Sequence, residues 1–265
     1  MKTFQQIQEG VYDPNIFKCV FLAGGPGSGK SFVVRTTTGG LGMVIVNSDD
    51  LFEKKMEEAG LDQGSPEDIF SDEGQALRDR AKEVTTRRQD MWMDGRLGII
   101  VDGTGKDTVK IGRQKTLFDQ LGYDTYMIFV NTSLDVAQKR NLTRKRKLAS
   151  KAVESMWNAV QRNIGAFQSM FGRGNFVIVD NNKDVSDGDM FTSATKEIRK
   201  LVKSKPNKPQ AKRWIAKELK KKAAGKSGTV GTARPNTRGR RQRISPERQK
   251  DIRKGGFSKF ARRTG

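Results

Sequence analysis

Residues 17–31 read FKCVFLAGGPGSGKS. An apolar run is followed at once by four glycines, a lysine and a serine within the eight residues 24–31. Gly24-x-x-x-x-Gly29-Lys30-Ser31 is the spacing of a phosphate-binding loop. The chemistry explains the composition. A triphosphate carries several negative charges, and backbone N–H groups wrap it closely only where side chains are absent. A helix that starts at the end of the loop adds the partial positive charge of its N-terminus. Gly24, Gly25, Pro26, Gly27, Ser28, Gly29, Lys30, Ser31 and Phe32 are therefore the predicted nucleotide-binding residues. Lys30 is placed to reach the β- and γ-phosphates, and the Ser31 hydroxyl to ligate Mg2+. A second Gly-Lys-Ser, at 225–227, has Lys220 where the first glycine belongs and no strand before it, so it is not such a loop.

Working outward, four further short apolar runs follow: GMVIVN (42–47), LGIIVD (97–102), YDTYMIFVN (123–131) and NFVIVD (175–180). Near-continuous Val/Ile-rich runs are how strands buried on both faces of a parallel sheet read. Helix-like segments with charged faces lie between them, at about 30–37, 50–59, 66–94, 107–121, 133–148 and 150–171, with another at about 189–202. The alternation predicts a three-layer α/β/α domain with right-handed crossovers. Its boundaries are drawn at 17–202, after an N-terminal extension of residues 1–16.

Charge separates the remaining piece. The chain of 265 residues has 51 Lys/Arg against 30 Asp/Glu, a net +21. Residues 203–265 hold 22 of those cations and only Glu218, Glu247 and Asp251 in opposition, a net +19, which leaves +2 for the other 202 residues. This segment is rich in Gly, Pro, Ser, Thr and Arg, and reads as a basic, largely disordered tail. The stretch 211–224 is the part of it able to form a short helix. Cations interspersed with Trp214, Phe257 and Phe260 suit a phosphate backbone and base stacking, so nucleic acid is the expected partner of the tail.

Several function classes are excluded. The chain has no histidine, which removes His-based acid–base catalysis and His-ligated zinc. The single cysteine, Cys19, lies in an apolar run and reads as a buried thiol. No apolar run approaches the roughly 20 residues needed to span a bilayer, and the N-terminal residues lack the apolar core of a signal peptide. A cytoplasmic protein is expected, in a host cytoplasm if its origin is a phage.

The remaining chemistry rests on acids and arginines. In NSDDLF (47–52), Asp49 stands where the ligand crevice of such a sheet opens, placed to accept a proton from a substrate hydroxyl. Alternatively, Ser48 or Asp49 caps the following helix. Asp102 follows the third strand and is placed for magnesium or for the acceptor. Ile100 stands where a phosphatase-type DxDGT motif needs its aspartate nucleophile, so that chemistry is discarded. Arg140 and Arg144, four apart, would neutralise charge on the transferring phosphoryl group, with Arg146 and Lys147 extending the patch. Met156, Trp157, Met91, Trp92 and Met93 read as core. Arg78, Arg80, Arg87 and Arg88 are candidate acceptor contacts.

The order GGPGSGKS, NSDD, VDGTG and KRNLTRKRK…VESMWNAVQ resembles the small P-loop kinases, above all the 5′-kinase domain of phage polynucleotide kinase and the zeta-toxin kinases, over roughly residues 17–182. The resemblance implies a five-stranded parallel sheet in the order 2-3-1-4-5. It implies Asp49 as base, Asp102 and Thr104 as a loose counterpart of the acid-threonine pair after the third strand, and Lys139, Arg140, Asn141 and Arg144 as the lid. ATP and Mg2+ are the implied cofactors. One departure stands out. Both relatives carry an acceptor-holding arginine three residues past the base, and here that position is Phe52. The acceptor is thus left open among a nucleic-acid 5′ end, a nucleotide and a nucleotide sugar. A nucleic-acid-associated structural or packaging protein with a nucleotide-binding domain is the alternative.

Overall fold

The structure is a computed structural model, and it describes residues 11, 13, 15–39, 41–144, 147–182 and 188–224. The chain divides into two units, residues 1–228 and 229–265, and the described residues all belong to the first. Arg146, Phe257, Phe260 and most of the predicted tail lie outside them.

Five strands form one parallel sheet: β1 (Lys18–Ala23), β2 (Val44–Val46), β3 (Ile99–Val101), β4 (Asp124–Asn131) and β5 (Phe176–Asp180). Their order is β2-β3-β1-β4-β5, as the resemblance to the small P-loop kinases implies. Every neighbouring pair is parallel, with β1 central between β3 and β4. The alternation of side chains along β1 builds two cores. Cys19, Phe21 and Ala23 face one layer, with Ile111, Phe118, Val160, Phe167 and Phe171. Val20 and Leu22 face the other, with Val33, Val34, Ile198 and Val202. All six β1 residues are buried: Lys18 pairs with Asp124 at 2.6 Å, and the five that follow read in sequence as one unbroken apolar run.

The helices are α1 (Lys30–Thr38), α2 (Ser48–Glu58), α3 (Pro66–Phe70), α4 (Asp72–Asp94), α5 (Thr108–Leu121), α6 (Leu134–Leu142), α7 (Ser150–Gln161), α8 (Ile164–Phe171), α9 (Gly188–Lys203) and α10 (Pro209–Ala223). α1 and α9 cover one face of the sheet, while α5, α7 and α8 cover the other. Two segments predicted as single helices are each split in two. Ser71 takes an extended conformation between α3 and α4, and its Oγ accepts from Gly74 N at 3.0 Å while donating to Asp68 O at 2.7 Å. The 150–171 segment breaks at Arg162–Asn163. α2 and α4 pack on each other around a small separate cluster, Phe52, Met56, Ile69 and Ala81. Of the three α4 residues expected in the core, Met93 is buried, Trp92 is half-buried, and Met91 is 69% exposed on the outer face.

Both drawn boundaries move outward. Val11, Asn15 and Ile16 are buried, so packing begins before residue 17. At the other end, α10 docks on the domain although it falls in the segment assigned to the basic tail. Pro209 supplies its first turn, Ala211 is fully buried, and Trp214 meets Phe17 edge-on with centroids 5.4 Å apart. Gly122 makes room: a Cβ there would lie 2.8 Å from Ala211 N. Lys208 reaches Asp119 at 2.5 Å, beside Lys115 at 2.6 Å. Burial would raise the Asp119 carboxyl, but hydrogen bonds from Lys115 and Lys208 outweigh it and hold the group below the usual carboxylate range. Trp214, expected to stack on bases, is instead a packing residue. Among the described residues no helix is long and apolar enough to cross a membrane.

Candidate active site

β1 ends at Ala23, and the glycine-rich loop turns from it into α1 along the carboxyl edge of the sheet. Two glycines are required by contact as well as by dihedral. Gly27 has φ 74°, and a Cβ on it would lie 2.3 Å from Ala137 O. Gly29 has φ 79°, and a Cβ on it would lie 2.3 Å from Asn181 Nδ2. Gly29 caps α1 without a side-chain hydrogen bond, and the first turn holds no acid. The first turn of α1 thus borders the cleft with the positive end of the helix dipole and no acidic side chain of its own.

That cleft, of about 520 Å³, brings together much of what the sequence singles out. Pro26 to Ser31 form its floor, Asp49, Asp50 and Asp102 one wall, and Arg140 and Arg144 the other. Gly24, Gly25 and Phe32 do not line it. The two glycines act through their carbonyls, which accept from Lys30 Nζ at 2.7 and 3.2 Å. Burial pushes the Lys30 ammonium below the usual lysine value; Asp102 counters this, and Arg144 adds to it.

The acids are organised by Asn47, a residue whose role the sequence did not reveal. Its Oδ1 accepts from Asp49 N at 2.8 Å and so caps α2. Its Nδ2 donates to Asp50 Oδ1 and to Asp102 Oδ2, both at 3.0 Å. The capping duty expected of Ser48 or Asp49 therefore falls to Asn47, and the Asp49 carboxylate is spared for the cleft. Asp102 is fixed at the end of β3 by its own N–H, which donates to Val46 O at 3.1 Å. Burial raises its pKa, Lys30 opposes that, and the neighbouring Asp50 and Asp49 raise it further. Asp50 is also raised, by burial first and then by Asp49.

Arg140 lies on α6, whereas Arg144 sits two residues beyond the helix end, so the two are not on one helical face. They share the cleft because Asn141 clips the intervening loop. Its Nδ2 donates to Leu148 O at 2.8 Å and its Oδ1 accepts from Leu148 N at 3.0 Å. A second unforeseen residue, Asn181 after β5, ties the loop to this wall. Its Nδ2 donates to Ser28 O at 2.7 Å and its carbonyl accepts from Arg140 Nη1 at 2.9 Å. Asn47 stands in the quoted NSDD stretch and could have been flagged as a cap; no local pattern marks Asn181. Met156, expected in the core, lines the cleft instead. Trp157 flanks Gly25 and donates from Nε1 to Thr132 O at 2.7 Å. Lys147 is exposed and does not line the cleft.

Residues 20–167, more than half of the chain, match the family model described as an AAA domain. The chain belongs to that family, and its folded unit has the P-loop α/β fold. No curated protein matches it. Among solved structures, a complex of AvrRxo1-ORF1 and AvrRxo1-ORF2 with ATP is similar at 15% identity and TM-score 0.50, over 67% of this chain and 63% of that one. The PezAT toxin–antitoxin system of Streptococcus pneumoniae is similar at 14% identity and TM-score 0.49, over 78% and 86%. A gluconokinase from Sinorhizobium meliloti 1021 follows at 15% identity and TM-score 0.43, over 71% and 95%. At these identities the likeness is one of fold.

Proposed function

We propose that the domain transfers the γ-phosphoryl group of ATP to a hydroxyl of an acceptor. The observation that carries this reading is one cleft in which a phosphate-binding loop, four carboxylates (Asp49, Asp50, Glu53 and Asp102) and two arginines face one another. Lys30 and the loop amides hold the β- and γ-phosphates. Asp49 takes the proton of the acceptor hydroxyl as its oxygen bonds to the γ-phosphorus. The bond from that phosphorus to the β-bridging oxygen breaks, and ADP leaves. Arg140 and Arg144 balance charge gathering on the phosphoryl oxygens.

Magnesium fits this site. Mg2+ at kinase sites takes one or two protein oxygens, the rest being phosphate and water. Among the described residues no three His, Cys, Asp or Glu side chains form a metal cluster, but the Ser31 hydroxyl and the Asp102 carboxylate supply two hard oxygens. A divalent cation would relieve the burial and like-charge crowding that raise Asp102. When bound it would supply charge neutralisation across the phosphates.

For the acceptor, a nucleic-acid 5′ end, a nucleotide or a nucleotide sugar are the classes to try first. Incubation with γ-labelled ATP, Mg2+ and a panel of oligonucleotides, nucleosides and nucleotide sugars tests the reaction. Label moving to a hydroxyl supports it. Release of inorganic phosphate alone across the panel would instead favour the alternative, a nucleotide-regulated scaffold on nucleic acid.

A second observation favours a polyanion near the domain. α10 is anchored on its Ala211–Trp214 side and presents exposed Arg213, Lys217, Lys220 and Lys221 at helical spacing on the other. Of these, Lys221 is paired with Glu218 at 2.6 Å. This stripe leads into the cationic residues 225–265, and phosphate contacts from it would raise the local concentration of a nucleic-acid end.

A further inference from the structure

The four arginines of α4 do not have equal standing. Arg80 and Arg87 both pair with Glu83 on the exposed side of the helix. Arg88 is exposed. Arg78 alone of the four turns inward onto α2. Its guanidinium lies over the Phe52 ring, with the central carbon 4.6 Å from the ring centroid. Its Nε and Nη2 are sealed from solvent and carry no hydrogen-bond partner among the described residues.

Such an arrangement is unusual for a purely structural arginine. Guanidinium keeps its charge at every accessible pH and carries five N–H donors. Buried charges are as a rule paired, because an unmatched one gives up hydration with nothing in return. The Phe52 face recovers part of that through its quadrupole but satisfies none of the donors. The location is informative too. Phe52 is three residues past Asp49 on α2, about 4.5 Å of axial rise, and both Asp49 and Glu53 line the cleft. Phe52 itself is buried in the small α2–α4 cluster, and the guanidinium rests on its ring.

We propose that Arg78 is an oxyanion-binding residue of the acceptor pocket, and that the acceptor is an alcohol carrying a phosphate or carboxylate group a few bonds from the reacting hydroxyl. A fork of adjacent N–H donors matches either oxyanion bidentately. Since two of the donors are sealed, the anion reaches them by easing α4 away from α2. The inference rests on the kinase reading of the cleft for the words acceptor and hydroxyl. The anion site itself does not depend on it.

The test uses the full chain, with Mg2+ and a non-hydrolysable ATP analogue filling the phosphate loop. Its melting temperature is followed as inorganic phosphate is added, and in a separate arm as acetate is added. The wild-type protein is expected to show a saturable upward shift, with phosphate for a phosphorylated acceptor or acetate for a carboxylated one. Arg78→Met keeps the apolar stem over Phe52 and should melt no lower than wild type without anion, yet lose at least tenfold in apparent anion affinity. Arg78→Lys, which keeps charge but not the fork, should recover only part. The proposal is overturned if neither anion shifts the wild type, or if Arg78→Met keeps the wild-type response. A chain that ignores the ATP analogue but still shows the Arg78-dependent anion shift would sink the kinase reading and leave the anion site standing.

Discussion

The phosphate loop and α10 are both cationic, and they use their cations in opposite ways. The loop has one lysine, Lys30, withdrawn from water and pinned between the carbonyls of Gly24 and Gly25. Its positive field comes mainly from backbone amides. α10 carries exposed cations along one side and buries Ala211 on the other. A desolvated charge among fixed dipoles gives strong, geometry-dependent binding of one ligand group. Solvated charges on a helix give weak, additive, salt-sensitive binding of any polyanion. Removing one group from the cleft should therefore abolish a step, whereas removing one from α10 should only shift a slope.

The largest effect expected belongs to the cleft. Asp49→Asn should lower turnover by about 10²–10⁴-fold, the range for a lost general base, while leaving nucleotide affinity near the wild-type value. Retained turnover would show that the proton goes elsewhere. Next is the anchor of α10. Trp214→Ala removes the ring that packs on Phe17 and should destabilise the domain by about 2–4 kcal/mol, read as a fall in melting temperature. An unchanged melting temperature would mean that α10 is not part of the folded unit.

Asp102 sharpens the comparison from the acid side. Its folded pKa lies above the ordinary 3.8, through burial and then the like charges around it. The native state therefore holds this proton more tightly than the unfolded chain, and its contribution to stability falls as pH rises through that window. Asp102→Asn should remove that slope and raise the melting temperature of the ligand-free protein at neutral pH, while losing Mg2+-dependent turnover. A lower melting temperature would show that the carboxylate is structural. The smallest effect is expected on α10. Changing Arg213, Lys217 and Lys220 together to alanine should leave stability within about 0.5 kcal/mol. The same triple change should flatten the dependence of single-stranded DNA affinity on log salt by about two units, at roughly 0.7 per phosphate contact. An unchanged slope would remove α10 from the nucleic-acid surface.

The same contrast explains what the sequence shows and hides. The loop, the strands and the cleft acids are written locally, while the strand order comes from the family resemblance. Glycines are spaced for a turn, apolar runs are continuous because both faces of the sheet are covered, and acids follow strand ends. α10 is hidden because Ala211, Trp214 and Ile215 are its core contacts among six Lys and Arg residues between 212 and 222, so its composition reads as a solvated tail. Arg78 cannot be told from Arg80, Arg87 and Arg88 without the packing of α4 on α2. The break at Ser71 was readable in principle, since Ser71 precedes Asp72, Glu73 and Gly74 as a cap would. Asn181 acts across 153 residues of sequence on Ser28, and only the fold brings the two together.

Calorimetric titration of the full chain with Mg2+ and ATP reads the central claim most directly. The backbone cradle and Lys30 predict saturable one-to-one binding in the wild type and an affinity at least about a hundredfold weaker in Lys30→Ala, the scale for losing one preorganised charge contact. No heat of association from the wild-type chain, or equal affinity in the two proteins, would contradict it.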